Sequence, residues 1–199
     1  AKQATTSSTI SQSVTIHTPQ KKQSAGFDKR VILREILKTE RNNLKNGIIF
    51  CNKKIDVDIL DKSLKKHGFD SNAIHGDLEQ KERTTILKSF IEGKLKLLVA
   101  SDVAARGLDI PSVSHVINFD IPIHPEDYVH RIGRTGRAGR HGKAISICLK
   151  SEIKNLEKIE ELVGTKIKKI TNVLSSLPKN YSANPKIKTQ SKSNVNIQK

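Results

Sequence analysis

Apolar and polar positions follow two rhythms along this chain. Short apolar runs bounded by polar residues recur at "GIIFC" (47–51), "KLKLLVAS" (94–101), "SHVINFD" (114–120) and "KAISICLK" (143–150), and they read as buried strands. "VTIHT" (14–18) and "SNAIH" (71–75) read as strands as well. Between them the spacing turns helical. Residues 27–40 form an amphipathic stretch, and residues 53–68 carry Ile55, Ile59, Leu60 and Leu64 before a stop at Gly68. Residues 78–93 read as a helix with Asp77 as N-cap and Gln80 in the reciprocal capping position. Residues 125–134 open on a proline suited to a first turn, and residues 151–164 form a helix closed by Gly164. Strand–helix alternation with short connections predicts βαβ units and a mostly parallel sheet covered by helices. In such sheets ligands gather beyond the carboxyl ends of the strands. "CNKK", "HGD", "SDVAARGLD" and "FDIP" each follow a predicted strand, so they should share one functional edge.

The ends of the chain break this pattern. Residues 1–13 are small and polar and read as a linker, which suggests something larger upstream; residues 14–165 carry the alternating elements. After Glu161 there is no acidic residue but there are eight lysines, so residues 166–199 read as a basic tail, disordered from Pro178 onward. Such a tail should draw in any polyanion diffusely. The 199 residues suit one domain plus tails, and a 35% hydrophobic fraction suffices if the ends do not pack.

Charge narrows the function. The net charge of +16 favours an anionic partner. No apolar run reaches the roughly 18 residues of a membrane span and no signal peptide opens the chain, which points to a cytoplasmic protein without a membrane partner. Cys51 and Cys148 sit in apolar runs and read as small buried hydrophobes; without a CxxC pair no zinc or other metal site is expected.

Arginine use is the strongest local signal. Of 36 basic residues only nine are arginine, and four of these, Arg131, Arg134, Arg137 and Arg140, fall in "HRIGRTGRAGR" (130–140); Arg106 lies in "AARGLD". Arginine grips phosphate or carboxylate through two parallel hydrogen bonds, which lysine cannot do. The plain alternative is a solvated basic loop. Glycines 133, 136 and 139 nonetheless let the backbone approach a ligand, and arginines on a mobile edge suit phosphoryl transfer. Asp109 has the chemistry to accept from two ribose hydroxyls, and Gly107 leaves room beside a nucleotide. The helix start in "HGDLEQKER" offers free N–H groups to a nucleic-acid phosphate, with Gln80 and Arg83 on one face. For Arg131, an ion pair with a strand-end carboxylate such as Asp102 is expected rather than a ligand contact.

"IIFCN", "HGDLEQKER", "LLVASDVAARGLDIP" and "YVHRIGRTGRAGRHG", in this order and spacing, resemble the second, C-terminal RecA-like domain of DEAD-box RNA helicases over about residues 14–165. The resemblance implies a RecA-like three-layer α/β/α sandwich. It implies that Arg134 and Arg137 are arginine fingers for the ATP γ-phosphate and that Gly107 and Asp109 lie on the ribose side. Asn52, Lys53, Gly76, Asp77, Arg83 and Ser101 would hold the RNA backbone, and Gln80 and His130 would meet the other domain. Two positions depart from the family: Lys53 and Ser101 stand where threonine is common, and lysine exchanges a hydroxyl for a charge. No GxxxxGK[ST] loop and no "DEAD" tetrapeptide occur. ATP with Mg2+ would therefore be held mainly by an N-terminal RecA-like partner domain, and this chain alone is expected to be inactive. The resemblance implies sequence-independent RNA contacts, with oligomeric state open. A free-standing, non-catalytic RNA- or protein-binding module is the alternative; a DNA helicase of the same superfamily is a weaker one.

Overall fold

The computed structural model describes residues 8–19, 21 and 24–171. Among these residues seven strands and six α-helices alternate: β1 (Ile10–His17), α1 (Ala25–Thr39), β2 (Gly47–Cys51), α2 (Lys54–Lys66), β3 (Ser71–Ile74), α3 (Gln80–Ile91), β4 (Leu97–Ser101), α4 (Asp102–Arg106), β5 (His115–Asn118), α5 (Pro125–Ile132), β6 (Gly142–Leu149), α6 (Ile153–Val163) and β7 (Lys168–Lys169). The strands form one sheet in the order β3-β4-β2-β5-β6-β1-β7, and every pairing is parallel.

The period-2 rule explains the three layers. Along β2, Ile49 and Cys51 pack with α1 and α2, through Ile32, Leu33, Ile36, Val57, Leu60 and Leu64. Ile48 and Phe50 point to the opposite face and meet Phe90 of α3 and Ala105 of α4. Further along that face, Ala144 and Cys148 of β6 pack under Tyr128 and Ile132 of α5 and Leu156, Ile159 and Val163 of α6. Both faces are covered, which is why β2 and β4 are buried at every position.

Several boundaries differ from the sequence expectation. β1 begins at Ile10, inside the stretch that reads as linker, because residues 10–13 pair in register with β6 from Gly142 to Ile145. Ile167 is buried and β7 adds to the sheet edge, so the first residues of the basic tail belong to the fold. The expected disorder from Pro178 lies outside the described residues. α3 starts at Gln80 with Glu79 as its N-cap and no side-chain cap; the Asp77 carboxylate is held by Lys54 instead, 2.8 Å away. "DVAAR" forms a short helix directly after β4, which the apolar pattern did not mark. In α2, Leu60 and Leu64 are buried as expected, but Ile55 and Ile59 are exposed. No helix of the described residues is long and apolar enough to cross a membrane.

Candidate functional site

The carboxyl ends of β4, β2 and β5 lie side by side, and one residue ties them together. Arg131, on α5, is 1% exposed and is among the largest fully buried side chains of the described residues. Its Nε and Nη2 donate to the two carboxylate oxygens of Asp102, each at 2.7 Å. Nη2 also donates to Asn52 Oδ1 at 2.7 Å, and Nη1 to the Asp120 carbonyl at 2.8 Å. The guanidinium lies over the Phe50 ring, 5.3 Å from its centroid. The expected ion pair with Asp102 is thus present, inside a larger network. A buried guanidinium is tolerable only when its donors are met this fully.

The network continues beneath the edge. Asn52 donates from Nδ2 to the Ile121 carbonyl, so both ends of its amide are engaged, and its backbone N–H donates to Asp120 Oδ2. The other Asp120 oxygen takes Lys29 Nζ at 2.6 Å, and Glu152 lies 3.7 Å from the same ammonium. Lys29 is 3% exposed. Sequence reasoning missed it, although a lysine on the α1 face that carries Ile32, Leu33 and Ile36 was a visible signal. Cys51 borders this network; burial, aided by Asp120 and Asp56, pushes its thiol pKa well above the ordinary value, so it is a packing group.

The arginine loop forms a second feature. A cleft of about 360 Å3 is lined by Arg106, Val129, His130, Gly133, Arg134 and Arg137. Arg106 is anchored by Asp127, and Arg137 Nε donates to the Gly133 carbonyl at 2.6 Å. Arg134 is half-buried and its side chain has no hydrogen bond or ion pair among the described residues. Burial, and then the neighbouring Arg137, lower its pKa against the pull of Asp109, so it stands ready to gain from an anion. Asp109 itself is exposed, and Gly107 closes α4.

The third feature is the neighbouring edge at β3. Gly76 and Asp77 are exposed, and the Lys54–Asp77 pair joins the start of α2 to the loop before α3. Lys53 is the N-cap of α2, and Ser101 pairs in register with Cys51, next to Asn52. On α3, Arg83 Nη1 approaches Gln80 Oε1 at 3.4 Å. Arg83 Nε and His75 Nδ1 are buried without a hydrogen-bond partner among the described residues. Lys54 was another residue the sequence reading passed over. No group of three or more His, Cys, Asp or Glu side chains among the described residues is placed to hold a metal ion.

Residues 28–139 match the helicase conserved C-terminal domain family. The chain belongs to this family, in its DEAD-box branch. It is 47% identical over 135 residues to the ATP-dependent RNA helicase dbp8 of Aspergillus oryzae, an alignment covering 68% of this chain and 30% of that protein. The chain thus spans about a third of the curated relatives it matches. Among solved structures, it is similar to the E. coli DEAD-box protein SrmB bound to the regulator of ribonuclease activity A, with TM-score 0.74, 36% identity and coverage of 81% of this chain and 91% of that one. It is also similar to S. cerevisiae Dbp5 bound to RNA and ADP BeF3, with TM-score 0.72, 34% identity and coverage of 81% and 41%. These neighbours agree with the RecA-like α/β/α architecture of the sheet.

Proposed function

We propose that this chain is the C-terminal half of an RNA helicase that couples ATP hydrolysis to local opening of RNA duplexes. The observation that carries the reading is the pair Arg134 and Arg137 on one cleft, with Arg134 half-buried and uncommitted. A guanidinium held this way stabilises charge that builds on a transferred phosphoryl group. His130 lines the same cleft and, with Gln80, would meet the N-terminal RecA-like domain. Gly107 and Asp109 would face the ribose. ATP would supply the phosphoryl group, with Mg2+ and most phosphate contacts coming from the partner domain; the cationic, carboxylate-free lining of this cleft suits only the anionic end of the nucleotide.

RNA would run along the β3–β4–β2 edge. Arg83, Lys53 and the exposed backbone at Gly76 would contact phosphates, with Asp77 holding Lys54 and Ser101 offering a hydroxyl. Asn52 would contribute through its backbone position, since its amide is engaged by Arg131 and Ile121. What supports this path is the buried, unpartnered Arg83 Nε beside the exposed loop. The similarity to Dbp5, whose solved structure holds RNA, points the same way. Backbone contacts of this kind carry no base information, so binding would be sequence-independent.

The test is kinetic. In a protein joining this chain to its phosphate-loop domain, Arg134→Lys and Arg137→Lys should each lower kcat by about a hundredfold or more, given that such arginines contribute on the order of 10³–10⁵. ATP affinity should fall far less, because the interaction acts mainly in the transition state. Arg140→Lys should leave turnover nearly unchanged. Equal and small effects at all three positions would return the segment to a solvated basic loop.

A further inference from the structure

A cleft larger than that of the arginine loop lies at the other end of the sheet. It measures about 760 Å3 and is walled by the amino ends of β1, β2, β5 and β6 and the loops leading into them. Its cations are Lys45, Arg140 and Lys143, the imidazoles of His115 and His141 also line it, and no carboxylate is among its lining residues. Lys143 is balanced from behind by Glu40 at 2.7 Å. Lys45 and Arg140 are exposed, and neither side chain has a hydrogen bond or ion pair among the described residues.

Four separate chain segments build this wall, and short hydrogen bonds lock two of them together. Ser114 Oγ donates to the Asn46 carbonyl at 2.6 Å, and the Ser114 N–H donates to Asn46 Oδ1 at 2.9 Å. The other two are joined where the Gly142 N–H donates to the Thr9 carbonyl at 3.0 Å. Cations gathered on a rigid concave wall repel one another, and an anion with several charged oxygens relieves that repulsion. The arginine fork and two ammonium groups match phosphate, and the cleft has the volume of a small-ligand site.

We propose that this cleft binds a phosphate-bearing anion through Lys45, Arg140 and Lys143, at the sheet end opposite the candidate nucleotide edge. The two ends share one loop: Arg140 N–H donates to the Arg137 carbonyl at 3.2 Å, so an anion held by Arg140 sits one turn from Arg137. The phosphate belongs either to an RNA backbone reaching around the domain or to a free polyphosphate. Neither the site nor its test depends on ATP turnover.

The experiment titrates inorganic tripolyphosphate into the isotope-labelled 199-residue chain at about 150 mM salt, where distant surface charges are screened. Backbone amides at Lys45, Asn46, Ser114, Arg140 and Lys143 should shift saturably. Lys45→Ala with Arg140→Ala should weaken binding at least about tenfold, while removing the same charge at exposed Lys62 and Lys158 should change it by less than about twofold. Both pairs are surface positions, so an unchanged unfolding temperature serves as the folding control. Shifts confined to other regions, a double variant that binds as tightly as the parent, or an equal loss in the control pair would overturn the proposal. A single-stranded oligouridylate separates the sources. Shifts at these same amides, displaced by tripolyphosphate, assign the site to RNA; no shift there, with tripolyphosphate binding intact, assigns it to a free polyphosphate.

Discussion

Two arginines show how burial decides what an ion pair contributes. Arg131 and Arg106 each meet one aspartate, Asp102 and Asp127 respectively. The Arg131 side chain is 1% exposed and the Arg106 side chain 54%. Arg131→Ala would strand Asp102 and remove donors from Asn52 and the Asp120 carbonyl, and should lower stability by about 3–5 kcal/mol. Arg106→Ala gives up a solvent-screened pair and should cost less than about 1 kcal/mol. Urea unfolding of the two variants checks this, and equal losses would mean that the buried network is not what holds the strand ends. The pairing of Arg131 with Asp102 was legible in the sequence because a helix following a strand returns over that strand's neighbours. Its bonds to Asn52 and the Asp120 carbonyl were not, since nothing local in "CNKK" marks the asparagine as an acceptor.

At the scale of elements, the loop from Gly133 to Gly142 matters most. Gly136, Ala138 and Gly139 all take left-handed conformations, an arrangement that carries Arg137 to one cleft and Arg140 to another. Two glycines in it are needed for different reasons. A Cβ on Gly142 would run into Thr135 and come within 2.6 Å of the Gly136 backbone nitrogen, so Gly142→Ala should destabilise by about 3 kcal/mol or more. A Cβ on Gly139 meets nothing, and Gly139→Ala should cost only the left-handed strain, about 1–2 kcal/mol. Thermal unfolding of both variants orders them; a larger loss at Gly139 would contradict the packing argument.

For the whole molecule, protonation at the amino end of the sheet should set part of the acid sensitivity. His115 is buried at the start of β5 and packs between Ser114 and Glu40. Burial lowers its pKa below 6.5, more than Glu40 raises it. The folded state therefore binds fewer protons than the unfolded chain just below pH 6.5. Its contribution is complete above that pH and is lost as pH falls toward the depressed folded value. Burial raises the pKa of Glu40, but hydrogen bonds from Lys143 and His115 outweigh it and hold the carboxyl below 4.5, so that contribution is lost only in stronger acid. Melting temperature should fall between pH 7 and pH 5, and His115→Gln should flatten that segment of the curve whatever its effect at neutral pH. An unaltered slope would place the acid sensitivity elsewhere.

The chain's local patterns alone determined the order of β1 to β6 and of every helix but the short α4, the buried character of the strands, the alternation that covers both sheet faces, and the motifs that resemble the DEAD-box domain. Each is a property of neighbouring residues, because the period of 2 or 3.6 and the residue types at a strand end are written within a dozen positions. Only the tertiary structure decided the strand order, the exposure of Ile55 and Ile59 beside buried Leu60 and Leu64, the lodging of Lys29 against Asp120, and the basic cleft at the amino end. Ile55 has the same helical spacing as its buried neighbours, and what differs is whether another element arrives to cover it. Lys29 finds its carboxylate 91 residues away. Burial and charge pairing at that range depend on which strands become neighbours, and no local pattern carries that information.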